Sequence, residues 1–111
     1  MLNELTFRRN ADQAIESLKK SLIEAEEDGG FEVEEQSGVL NIVFEDPPAK
    51  FVITPNTPVR QIWISALSTS FKLDWSETEE DFVYLKDSLT LKSLVARLIN
   101  EQMGGASVIL D

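Results

Sequence analysis

Between Ser21 and Ala49 the chain carries nine carboxylates, Glu24, Glu26, Glu27, Asp28, Glu32, Glu34, Glu35, Glu45 and Asp46, and no lysine or arginine to balance them. Carboxylate oxygens are hard ligands, so such a group suits hydrated iron, Mg²⁺, Mn²⁺ or Ca²⁺, held shallowly and with waters retained. The same group suits a partner surface rich in Lys and Arg, through electrostatic steering. A solvated face that maintains solubility is the third use of an acidic run. Glu24 and Asp28 lie four apart, and Glu27 three from Glu24, on what reads as the end of a helix. Like charges at that spacing repel, and negative groups there oppose the helix dipole, so the arrangement lowers stability. Glu32 and Glu34 alternate with Phe31 and Val33, which places both on the outward side of one strand.

The absent residues narrow the chemistry further. With no cysteine and no histidine, the chain lacks disulfides, thiolate metal ligation, a cysteine nucleophile and imidazole acid–base catalysis. Binding rather than catalysis is the expected role. Twenty acidic residues against 10 basic ones give a formal charge of −10, which repels nucleic acid phosphates and anionic membranes. Cations and basic protein surfaces are the expected partners. No apolar stretch approaches the roughly 20 residues that span a bilayer, and the opening Met1 to Leu5 lacks a signal-peptide core or Arg/Ser-rich transit character. The expectation is a cytoplasmic bacterial protein; a processed mitochondrial form is compatible with the same residues.

These side chains need elements to place them. Phe7, Ala11, Ile15, Leu18, Leu22 and Ala25 recur at steps of four and three, which predicts a helix ending at Gly29-Gly30. Beyond it come short β-type runs separated by turn residues such as Ser37-Gly38, Asp46-Pro47-Pro48 and Pro55 to Pro58. About six strands are expected, over residues 31–35, 39–45, 50–54, 61–66, 71–75 and 82–86. The short connections favour antiparallel pairing. Thr90 is the predicted N-cap of a second helix carrying Leu91, Leu94, Val95, Leu98 and Ile99 on one face and stopping at Gly104-Gly105. The apolar tail from Ala106 to Asp111 is expected to dock. With 111 residues and 42% hydrophobic, the chain has material for one domain over 1–111. The fold class is α+β, a two-layer sandwich with both terminal helices on one face of a mainly antiparallel sheet.

One strand places a large aromatic unexpectedly. In Gln61-Ile62-Trp63-Ile64-Ser65 the isoleucines share one face and Trp63 shares the other with two polar residues. If Ile62 and Ile64 face the helices, Trp63 stands on the open side of the sheet. An exposed tryptophan there is either a partner anchor or a cover over neighbouring strands. Phe71 and Trp75, alternating with Lys72 and Asp74, are read as packing residues. The run Glu77 to Asp81 reads as a solvated turn.

The segment from Phe51 to Ser65 resembles the signature of the frataxin family, including its bacterial CyaY-like members: a strand, a proline turn, and a strand reading Gln-Ile/Val-Trp-Leu. Phe7, Ala11-Asp12-Gln13, Gly38-Val39-Leu40, Asp74-Trp75 and Phe82-Val83-Tyr84 match as well, so the resemblance covers nearly the whole chain. It implies the same α-sheet-α sandwich and an iron-binding accessory role in iron–sulfur cluster assembly. Fe²⁺ or Fe³⁺ would be held weakly at the surface by a ridge of Glu24, Glu26, Glu27, Asp28, Glu32 and Glu34. A cysteine desulfurase and its scaffold protein would be contacted through Asn56, Gln61 and Trp63 together with Glu32 and Glu34. The resemblance also implies a monomer, with iron-dependent oligomers in some members. Two alternatives stand beside this reading: a ferroxidase that stores iron, and an acidic interaction domain unrelated to iron. Lys19, Lys20, Ile23 and Gly30 depart from the family by standing where carboxylates are expected, which weakens the metal site more than the partner surface, and Lys19 and Lys20 weaken the ferroxidase reading.

Overall fold

The computed structural model describes residues 3–45, 48–104 and 110, apart from the side chains of Asp28 and Gly29. Helix α1 runs over Glu4–Gly29, one turn earlier than its apolar repeat begins. Asn3 makes the difference: its side-chain oxygen accepts the Thr6 N–H at 2.8 Å and caps the first turn. Phe7, Ala11, Ile15, Leu18 and Leu22 are all buried, as the spacing predicts. At the far end Gly30 takes φ 74°, the left-handed conformation that stops a helix. A Cβ there would come 2.9 Å from the Met103 methyl, the mobile end of a flexible side chain that can move aside, so it is the left-handed backbone that calls for glycine.

Among the described residues seven strands follow in one antiparallel meander: β1 (Phe31–Gln36), β2 (Val39–Glu45), β3 (Pro48–Asn56), β4 (Gln61–Ala66), β5 (Thr69–Ser76), β6 (Asp81–Tyr84) and β7 (Leu89–Thr90). Strand order equals sequence order, so β1 and β7 are the edges. The seventh strand goes beyond the expected six, and β6 stops at Tyr84 rather than at Lys86. The chain turns there through Ser88 at φ 55°, without glycine or proline to mark it. Strand β3 is longer than expected and takes in two of the four prolines, Pro48 and Pro55. Pro48 is its first residue, and Pro55 pairs with Ile62 just past the last β2 partner of β3. A missing N–H breaks no ladder bond at such places. A short 3₁₀ turn, Thr57–Val59, then leads through Arg60 at φ 57° into β4.

Helix α2 (Leu91–Gln102) buries Leu91, Leu94, Val95, Leu98 and Ile99. Thr90 occupies its N-cap but does not cap through its side chain; the hydroxyl pairs with that of Ser93 at 3.0 Å. The helix ends at Met103 with Gly104 left-handed at φ 74°. The expected stop at Gly105 and most of the tail lie outside the described residues, as do Asp46 and Pro47. Of the tail, Leu110 is described, and it packs against the core. Between the layers, the helices meet Leu40, Ile42, Phe44, Phe51, Ile53, Ile62, Ile64, Leu73 and Phe82 in one cluster.

Two hairpin turns use two residues of positive φ each. Ser37 and Gly38, at 53° and 80°, join Gln36 to its partner Val39 with conventional turn chemistry. Leu67 and Ser68, at 52° and 61°, join Ala66 to Thr69 without any. A left-handed leucine carries a steric penalty of about 1 kcal/mol, and this one is also 39% exposed. The double change Leu67→Asn with Ser68→Gly is expected to raise the unfolding free energy by about 1–2 kcal/mol. Urea denaturation reads this directly, and an unchanged midpoint would show the turn to be unstrained.

Candidate functional site: the open sheet face and the β1 edge

Alternation along the strands assigns the side chains to two faces. Ile62, Ile64 and Ala66 are buried beneath the helices, while Gln61 and Trp63 are half-buried and Ser65 is exposed on the other side. Register then sets the neighbours on that open face. Trp63 lies between Thr54 and Lys72, and Gln61 lies between Asn56 and Asp74. Glu34 starts the next row, continuing through Asn41, Val52, Ser65 and Ser70. Trp63 and the two outward glutamates of β1 therefore share one face. At roughly 4.8 Å per strand and 3.4 Å per residue, Glu34 stands about 16 Å from Trp63, and Glu32, one row further along, about 20 Å.

The indole is held from two sides. Its Nε1–H donates to Gln61 Oε1 at 2.9 Å, and Gln61 Nε2 donates in turn to Asp74 Oδ1 at 3.1 Å. The Lys72 ammonium stands 4.9 Å from the ring centroid, a cation–π contact. A chain from Asp74 through Gln61 thus fixes the ring plane before any partner arrives, which reduces the ordering entropy lost on binding. Lys72 and Asp74 are site residues that the sequence pattern did not single out. Their signal was alternation with Phe71, Leu73 and Trp75, but only the register shows that they flank Trp63 and Gln61.

Phe71 and Trp75 face the helices and pack against the core, as read from the sequence. Phe71 meets Tyr84 edge-on at 5.3 Å and Trp75 meets Phe82 at 5.2 Å. Trp75 also borders a cleft with Asn10, Gln13, Ser17, Asp81 and Lys92 on the helix side of the molecule. Burial pushes the Asp81 carboxyl up from its ordinary 3.8, against the opposing pull of the Phe82 N–H and Lys92. Of the acidic run that ends there, Asp81 is a half-buried strand residue rather than part of the solvated turn.

The ridge carboxylates do not act alike. Glu32 and Glu34 are exposed on the open face. Glu27 is exposed on the last turns of α1 and borders, with Glu26, Phe31, Glu32, Val33 and Glu45, a shallow depression beside β1. Glu26 is half-buried and already engaged: its Oε2 accepts the Val33 N–H at 3.0 Å. Glu24 lies about 200° around the helix from Glu26, on the side away from β1. Asp28 stands on the same last turn, and its side chain lies outside those described. Lys19 does not confront the ridge carboxylates; it bonds Glu35 Oε1 at 2.9 Å. That hydrogen bond, with the charge of Glu35, raises the Lys19 ammonium above its ordinary 10.5. Among the described residues no three carboxylates converge closely enough to cage an ion. What the arrangement offers is a negative edge beside an anchored indole.

The profile of the frataxin-like domain matches residues 1–105. This chain belongs to the frataxin family. Among its relatives, the iron–sulfur cluster assembly protein CyaY of Pseudomonas fluorescens Pf0-1 is 27% identical over 103 residues, 93% of this chain and 91% of that protein. The protein of the same name from Azotobacter vinelandii is 29% identical over 94 residues, 83% of this chain and 84% of its own length. Among solved structures, frataxin from Psychromonas ingrahamii superimposes with a TM-score of 0.79 over 97% of both chains, at 19% identity. Yeast frataxin gives 0.69 over 89% of this chain and 81% of its own, at 22% identity. These two likenesses establish the shared frataxin-like fold. No described helix is long and apolar enough to cross a membrane.

Proposed function

We propose that this protein is a non-enzymatic accessory factor of iron–sulfur cluster assembly that docks on a cysteine desulfurase and its scaffold protein in the bacterial cytoplasm. The names of its bacterial relatives support the pathway. The observation that carries the docking mode is that Glu32 and Glu34 share the open sheet face with a pre-oriented Trp63. The negative edge steers a basic partner surface, and the indole supplies the apolar anchor at the centre of the contact. Asn56, Gln61, Lys72 and Asp74 surround that anchor with polar groups. Iron is cargo here, held weakly and with its waters by exposed carboxylates such as Glu27, Glu32 and Glu34. Glu26 contributes less, since its carboxylate already serves Val33.

The test is desulfurase affinity for the double variant Glu32→Lys with Glu34→Lys, at low and at moderate salt. Reversing two charges at an interface edge is expected to weaken binding at least tenfold at low salt, mainly through the association rate, with the difference shrinking as salt rises. Unchanged affinity would remove the acidic edge from the contact.

A further inference from the structure

Strand β1 is an outer edge of the sheet, with β2 as its ladder partner. In an antiparallel ladder every second residue turns its N–H and C=O away from the partner strand. Val33 is such a residue, because its N–H reaches the Glu26 carboxylate on α1 instead. By the same alternation Phe31 and Glu35 present their backbone groups outward. An exposed edge of this kind is a template for another strand, and here one of its donors is held by a helix side chain. The edge borders the depression formed by Glu26, Glu27, Phe31, Glu32, Val33 and Glu45, so the space beside it is open to solvent.

We propose that the outer edge of β1 accepts an extended basic segment of a partner protein as an eighth strand, with Glu26 guarding the Val33 N–H until that segment arrives. The segment's carbonyl replaces Glu26 Oε2 on the Val33 N–H. Its alternate side chains lie on the open face beside Glu32 and Glu34, where lysine or arginine forms cross-strand pairs. Charge selects this occupant over a second copy of the chain. Antiparallel pairing of two β1 strands about Val33 would set Glu32 of each copy directly against Glu34 of the other, and like charges so placed repel. The inference rests on the proposed docking of the acidic edge to a basic partner, and adds to it the backbone mode of contact.

The probe is an eight-residue peptide of alternating lysine and valine, compared with the same peptide N-methylated at every peptide bond. Both carry equal charge, but the second cannot form a ladder. The expected result is at least tenfold tighter binding of the unmethylated peptide, with slowed hydrogen exchange at the Val33 amide. In the free protein Glu26→Ala is expected to speed that exchange severalfold, and the added peptide to slow it again. Equal binding of the two peptides, or a Val33 amide that ignores the peptide, would overturn strand addition while leaving the acidic edge as a docking surface. A Glu26→Ala variant that dimerises by sedimentation would overturn the choice of occupant. Failure of the underlying reading is seen separately, as unchanged desulfurase affinity in the Glu32→Lys and Glu34→Lys variant.

Discussion

Phe82→Ala is expected to lower the unfolding free energy by about 4 kcal/mol. Phe82 is fully buried and meets two rings from different elements. Phe7 of α1 stands edge-on at 5.8 Å with an interplanar angle of 88°, and Trp75 of β5 at 5.2 Å with 68°. Removing the ring therefore costs its own transfer from water, two aromatic contacts worth about 0.5–1.5 kcal/mol each, and the cavity between layers. Domains of this size have roughly 5–15 kcal/mol in total, so the variant would keep only part of its stability. Phe82→Leu refills most of the volume and is expected to recover about half of the loss. Urea denaturation with an unchanged slope checks both; a loss below about 1 kcal/mol for the alanine variant would mean that the α1–sheet interface closes without this ring.

The residues show why some of this architecture was legible in the sequence and some was not. Periodicity works where one face is buried along the whole element. The α1 stripe from Phe7 to Leu22 and the alternation of Ile62 and Ile64 against Trp63 are of that kind, and both hold in the fold. Strand β7, only Leu89–Thr90, is too short to display a period, and β6 ends in a turn that the Asp87 N–H closes on the Tyr84 carbonyl at 3.3 Å, with neither glycine nor proline to mark it. For the site, sequence distance misleads. Glu24 and Glu26 are neighbours in the chain yet face opposite sides of α1. Glu26 and Val33, seven residues apart, are bonded across the helix–strand boundary. The support of Trp63 by Asp74 likewise depends on the pairing of β4 with β5, a register that no local pattern displays.

The two tryptophans then make the last expectation a matched comparison. Trp63→Ala is expected to weaken desulfurase–scaffold binding by about 30-fold or more, the effect of a central aromatic anchor worth at least 2 kcal/mol. The same change is expected to lower folding stability by only about 1 kcal/mol, because Trp63 lies on the open face outside the core cluster and its polar contacts are to Gln61 and Lys72 there. Trp75→Ala should do the reverse, because its ring packs against Phe82 in the core while the open face stays intact. Trp63→Phe separates area from orientation: it keeps an aromatic face but loses the Nε1–H that Gln61 holds, so intermediate affinity is expected. Asp74→Ala leaves the indole in place and frees Gln61 to rotate, and a several-fold loss of affinity with little change in stability would show that the ring must be pre-oriented. If Trp63→Ala lowered stability as much as Trp75→Ala and left affinity unchanged, the indole would be a cover over the sheet. The open face would then lose its anchor, and with it the physical reason for a partner to bind beside Glu32 and Glu34.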